Sequence, residues 1–192
     1  MKTVKISEGN SKTGKISSVS MTPVKSCGNC GSCKSKCYVL KYYKQYPNVR
    51  KAYDSNYDLA MNNRAKYFIE ISQYLRKKSP KYFRFHISGD ILDQMYLNSM
   101  ISTAKNYPKT RFLCFTKMHS LEFKNMPDNL TIVLSMFPSM DKPKHRLPIA
   151  WYQDNTESRV PENAIHCPGN CETCGMCWEL PKMNRDVVFN AH

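Results

Sequence analysis

Eight of the nine cysteines fall in two short runs. Cys27, Cys30, Cys33 and Cys37 stand in SCGNCGSCKSKCY, spaced C-x2-C-x2-C-x3-C. Cys167, Cys171, Cys174 and Cys177 stand in HCPGNCETCGMCW, spaced C-x3-C-x2-C-x2-C, the same pattern read backwards. Four thiolates within eleven residues can wrap a compact metal centre, because each C-x2-C turn points two sulfurs the same way. The small residues Gly28, Gly31, Gly169 and Gly175 leave backbone N–H groups free to approach sulfur atoms. Cys114 sits alone in the apolar run RFLCFTK and reads as a small buried hydrophobe.

The first spacing is the one bacterial ferredoxins use for [4Fe–4S] clusters, although there the fourth cysteine serves the other cluster and a proline follows it. Here Tyr38 follows. Structural zinc is the alternative, since C-x2-C pairs are also zinc-ribbon ligands. Zinc usually takes two well-separated pairs, whereas these are two crowded quartets, which favours one or two [4Fe–4S] clusters. Charge does not separate the metals. Either centre with four thiolates carries −2, so two sites would lower the formal +14 to about +10.

Composition bounds the rest. Apolar residues make up 41% and charged residues 23%, with 7 glycines and 11 prolines, which describes a globular chain rather than a disordered or collagen-like one. No run approaches the roughly 18 apolar residues of a membrane span. The opening MKTVKISEGNSKTGK lacks the apolar core of a secretory signal. The expectation is a cytoplasmic protein without membrane contact, where disulfides are disfavoured. A length of 192 residues points to one α/β domain over residues 1–192, with segments 27–37 and 167–177 brought together. Lys and Arg number 29 against 15 acids, so an acidic redox partner or nucleic acid fits the surface. In KCYVLKYYKQYPNVRKAY tyrosines interleave with lysines, a composition that can stack bases while neutralising phosphates; an ordinary solvated helix face is the plainer reading. Nothing in the sequence fixes an oligomeric state.

The elements that must position these residues follow from hydrophobic periodicity. KISSVSMTPV (15–24) alternates briefly and suggests an edge strand. YVLKYYKQYP gives a helical turn or two ending at Pro47. Val49, Tyr53, Tyr57, Ala60, Phe68, Ile71 and Leu75 then recur at helical spacing, predicting one long amphipathic helix. Arg64 lies on that stripe, either pairing with a carboxylate or facing an internal anion such as a cluster or bound substrate. KYFRFHIS reads as a strand with Arg84, His86 and Ser88 on its polar face. Gly89 and Asp90 break it, with Asp90 expected to cap a helix that buries Leu97, Met100, Ile101 and Ala104. TRFLCFTK (110–117) and LTIVLSMFP (130–138) read as further strands, whereas residues 138–165 show no clean period. Strand, helix, strand makes a parallel, right-handed βαβ unit. The expected fold is therefore α/β with parallel strands, compatible with a partial barrel, and cysteine-rich segments at both ends. Sites in such sheets gather outside the carboxyl ends of the strands. Here those ends are Ser88-Gly89-Asp90, Thr116-Lys117 and Ser135-Met136. Ser88, Gly89 and Arg64 are candidate cofactor contacts. Arg84, His86 and Asp90 are candidate catalytic groups, able to donate to a substrate or to cluster sulfides. A satisfied core histidine is the other reading of His86, and His166 reads as a loop residue.

The combination resembles a phage and mobile-element family known as gene product eighty-eight. The resemblance rests on Cys33, Cys37 and Tyr38, then Arg84, His86, Ser88, Gly89 and Asp90, then Cys167, Pro168, Cys171, Cys174 and Cys177, spanning Cys27 to Trp178. It implies a phage context in a bacterial host and iron–sulfur binding, and supplies no reaction. Three functions fit the residues. The first is a redox protein passing single electrons through [4Fe–4S] clusters, with all eight cysteines as ligands. The second resembles radical S-adenosylmethionine enzymes, whose C-x3-C-x2-C spacing matches Cys167, Cys171 and Cys174 and leaves one iron open; Cys177, able to close that iron, argues against it. The third is a basic nucleic-acid-binding protein with structural zinc.

Overall fold

The structure, a computed structural model, describes residues 2–11 and 13–190. Its strands are β1 (Ile6–Ser7), β2 (Ser17–Val19), β3 (Tyr82–Phe85), β4 (Arg111–Thr116), β5 (Leu130–Met136), β6 (Ile149–Gln153), β7 (Ile165–His166) and β8 (Val187–Asn190). They form one mixed sheet in the order β1-β2-β3-β4-β5-β6-β8-β7. Every pairing is parallel except β1 with β2. The main helices are α1 (Val39–Gln45), α2 (Pro47–Asn62), α3 (Arg64–Lys78) and α4 (Gln94–Asn106).

Alternation along the strands divides the two faces of the sheet. Phe83, Phe85, Phe112, Cys114, Ile132 and Leu134 pack with Leu59, Tyr67, Ile71 and Leu75 of α2 and α3 and with Leu97, Met100 and Ala104 of α4. Leu113, Val133, Ala150 and Val187 point the other way and pack on Trp178 and Leu180, with Cys167, Cys171 and Cys177 against them. Helices therefore cover one face and the second cysteine run covers part of the other, the layered solution that buries both faces. Among the described residues, no helix is long and apolar enough to cross a membrane.

Several expectations are corrected. The single long helix is two, broken at Asn63, whose backbone leaves the helical region and whose side chain accepts the Lys66 N–H at 3.0 Å. Asparagine competes for backbone groups in this way and favours caps over helix interiors. Pro47 does not merely end a turn but opens α2, where its missing N–H costs nothing. Asp93, not Asp90, caps α4, accepting from the Tyr96 N–H at 2.8 Å. The segment 15–24 supplies β2, which lies between β1 and β3 rather than at an edge. The aperiodic stretch 138–165 contains β6, and His166 belongs to β7. The expected βαβ unit is β3-α4-β4. The parallel crossovers from β4 to β5 and from β5 to β6 run through 117–129 and 137–148 without a helix in either link. The sheet has β1 and β7 as its edges, so what stands of the barrel expectation is a mostly parallel sheet.

Candidate functional site

A cavity of about 230 Å³ opens on the sheet face away from the helices. Its sheet-borne lining comes from Arg84, Leu113, Phe115, Ser135, Ala150, Tyr152 and Phe189. Ser88, Gly89 and Lys117 reach it from beyond the carboxyl ends of β3 and β4, the end where parallel sheets place their sites. Cys27, Cys33 and Cys37 of the first run and Cys167, Cys171 and Cys177 of the second line the same cavity.

Each run is shaped by its own sequence. In the second, Cys171–Cys174 form one helical turn, α5, capped by the Asn170 side chain and ended by Gly175 at φ +62°. An asparagine before the turn and a glycine in the left-handed region after it are the residues those positions favour. Trp178 fixes the run to the sheet: its carbonyl accepts from Arg111 Nη2 at 2.7 Å and Thr131 Oγ1 at 3.1 Å, and its indole donates to the Arg111 carbonyl. All four cysteines of this run also surround a smaller void of about 20 Å³. The first run carries a tight turn at Gly31–Cys33 and hangs from the strand ends. The Asp90 N–H donates to the Ser26 carbonyl at 3.2 Å and the Asn29 amide donates to the Lys117 carbonyl at 3.3 Å. Cys30 departs from its three companions and lines a neighbouring groove with His119, Lys142, Lys144 and His145.

Burial pushes the Cys27 thiol up to about 11 and the Cys177 thiol up to about 12, so both are protonated until something displaces the proton. Such protonated thiols are poor nucleophiles, and the thiolate that would act as a ligand forms only when its proton is displaced. The sulfurs line walls rather than converge on a point. Among the described residues, no group of three or more His, Cys, Asp or Glu side chains is placed to hold a single ion.

The other candidates separate. Arg84 lies in the cavity lining, its guanidinium 4.8 Å over the Phe115 ring and its Nε buried without a hydrogen-bond partner among the described residues. His86 does not share that polar face. It follows the end of β3 with φ +61°, and this left-handed turn brings it into the helix-side core. There Tyr96 donates to the Tyr67 hydroxyl at 3.0 Å, which leaves His86 Nε2 to donate to the Tyr96 oxygen at 2.9 Å. His86 is 3% exposed, and burial with the nearby Arg84 charge lowers it to about 3. It is the satisfied core histidine, with one edge on the cavity.

Asp90 is fully buried and committed to structure. It accepts from Thr116 Oγ1 at 2.5 Å, the Ile91 N–H at 2.7 Å and the Lys117 N–H at 2.9 Å, clamping the β3 and β4 ends together. Ser88 donates to the Met21 carbonyl at 2.8 Å. Gly89 has φ +93°, and a Cβ there would stand 2.6 Å from Ser26 Oγ, so the close approach of the first run needs glycine. Arg64 is outside the cavity. It makes a two-pronged pair with Asp93 at 2.8 and 2.7 Å, the carboxylate-pairing reading rather than the internal-anion one.

Sequence reasoning put Lys117 at the carboxyl end of β4, on the expected functional side, but gave it no role. Its ammonium is 3.6 Å from Asp90, and its side chain is 13% exposed. Burial alone would lower it, but the Asp90 carboxylate holds it above its usual value. The signal was available: a lysine directly after an apolar strand, at the carboxyl end. The aromatic lining from Trp151, Tyr152 and Phe189 carried no such signal.

The family model described as Gene product 88 matches residues 2–162. The chain belongs to this phage-type family. The match takes in the first cysteine run, Arg84–Asp90 and the strands through β6, and stops before Cys167. The matched residues therefore hold β1 to β6 and the first run, whereas β7, β8 and the second run lie outside them. No curated protein and no solved structure matches the chain.

Proposed function

We propose that this is a redox-active iron–sulfur protein whose two cysteine runs hold [4Fe–4S] clusters against the free face of the sheet. The observation that carries the reading is that cysteines from opposite ends of the chain line one cavity beside two cations, Arg84 and Lys117. Cys27, Cys33 and Cys37 would hold one group and Cys167, Cys171, Cys174 and Cys177 another; bound there, a cluster supplies one-electron storage. The walls are preformed and the thiols must close in on what they bind, releasing protons as they do. Arg84 brings an unpaired buried Nε–H and a positive charge, both suited to an anionic cluster or to its sulfur atoms. Lys117, held by Asp90, adds an ammonium group beside the first run. Phe115, Trp151 and Phe189 would keep water away and so influence the potential.

The S-adenosylmethionine reading has less support, because Cys177 stands with Cys167, Cys171 and Cys174 around the small void, where it could close the fourth position. The test is anaerobic purification followed by iron, sulfide and zinc analysis and a visible spectrum. About eight irons per chain would support two cubanes and about four a single one. Colourless protein carrying zinc would overturn the reading.

A further inference from the structure

We infer that α1 and the turn before it form a stacking platform for single-stranded nucleic acid, reaching from the lip of the cysteine cavity to the start of α2. The inference does not depend on which metal the cysteines hold.

Tyr38, Tyr42 and Tyr46 recur every fourth residue, which places them along one side of the helix. They are 47%, 49% and 47% exposed, three of the six large hydrophobic side chains that stand out from the surface among the described residues. A helix of the core would bury such a stripe; this one buries only Val39. The rings of Tyr42 and Tyr46 are nearly parallel, 13° apart with centroids 6.4 Å apart, so they present flat faces in one orientation. Tyr38 begins the row, donating to the Ile87 carbonyl at 3.5 Å and lining the cysteine cavity.

Along the chain the charge on either side of the row has one sign, while in space Asp54 of α2 takes the Tyr43 hydroxyl and Asp154 pairs with Lys36. No acidic residue occurs between Glu8 and Asp54. Lys34, Lys41, Lys44, Arg50 and Lys51 are all exposed, and none of them is in an ion pair among the described residues. Unpaired cations favour a polyanion, and parallel tyrosine faces select among polyanions. An acidic polypeptide offers carboxylates without flat π-faces, whereas a single strand offers phosphates and bases at alternate levels, matching cations interleaved with rings. A duplex keeps its base faces stacked internally, so the single strand is the occupant that uses both features.

The test is fluorescence anisotropy with a labelled oligothymidylate of about 12 nucleotides, a length within the usual single-strand site sizes, using protein as purified without oxygen. Tyr42→Ala and Tyr46→Ala should each weaken binding at least about fivefold, and Tyr42→Phe should retain it, because stacking uses the ring and not the hydroxyl. Lys41→Gln with Lys44→Gln should flatten the salt dependence by about 0.7 in log–log slope per lost phosphate contact. These side chains are on the surface, so circular dichroism should be unchanged. An abasic strand of the same length that binds equally well, or alanine variants that bind like the parent, would overturn the platform. Polyglutamate competing as well as the oligonucleotide would overturn it in favour of an acidic protein partner. Iron content is read separately, so loss of the iron–sulfur reading and loss of this one are distinguishable.

Discussion

His86 gives the sharpest test of how the site is built, because its burial makes a signed claim about pH. In the folded chain it is lowered to about 3 by burial, and secondarily by Arg84, against 6.5 for an exposed imidazole. The neutral ring is therefore favoured by the fold, and the unfolded chain binds the proton first. Between these values the unfolded state carries more protons, so stability rises with pH and is lost as pH falls below 6.5. Each unit of pH in that window is worth about 1.4 kcal/mol, so acidification from pH 7 to pH 5 should cost about 2 kcal/mol through this residue alone. The comparison variant is His86→Asn, since asparagine tolerates the left-handed backbone at φ +61° and does not titrate. Urea-unfolding midpoints at pH 7 and pH 5 would be measured for both proteins in the same preparation. Other titrating groups cancel in the difference. The parent should lose about 2 kcal/mol more than the variant over this interval. Equal losses would mean that His86 titrates normally and that the chain His86–Tyr96–Tyr67 does not hold it neutral. Iron content should be unchanged in His86→Asn, because its Nε2 is bonded to Tyr96 on the helix side and only one edge of the ring meets the cavity.

Three further outcomes follow from the same geometry. Cys30→Ser should leave the iron content of the purified protein near that of the parent, whereas Cys33→Ser should lower it, because only the latter sulfur lines the cavity; equal iron loss by elemental analysis would place Cys30 among the ligands. Gly89→Ala should destabilise by about 1–3 kcal/mol, read as a fall in Tm, because it combines φ +93° with a 2.6 Å contact to Ser26 Oγ. Asp90→Ala should cost about 3–5 kcal/mol in urea unfolding, since it leaves the Lys117 ammonium buried and unpaired, while the exposed cap variant Asp93→Ala should cost about 1 kcal/mol; comparable losses would contradict the clamp role of Asp90.

The candidate site and several of its elements were legible along the chain because their signals are local. Ligand spacing within eleven residues, the alternation in β3, β4 and β5 and the helical stripe of α4 each depend on neighbours a few positions apart. Even the useful end of the sheet, where Ser88, Gly89 and Lys117 meet the cavity, follows from parallel strands joined by a crossover. What only the tertiary structure decided is non-local. β6 and β8 lie on opposite sides of the second cysteine run and become adjacent only by pairing with each other, and neither carries a period strong enough to stand alone. His86 is turned inward by a single left-handed residue that period-two reasoning cannot foresee, because the hydroxyl waiting for it belongs to α4. Asn63 interrupts an unbroken apolar stripe, since periodicity registers burial but not the competition of one side chain for a backbone N–H. Cys30 and Cys33 are equivalent in spacing and differ only in which cavity they face. Local spacing thus marks the candidate cysteines, and burial against distant segments selects which of them share a cavity.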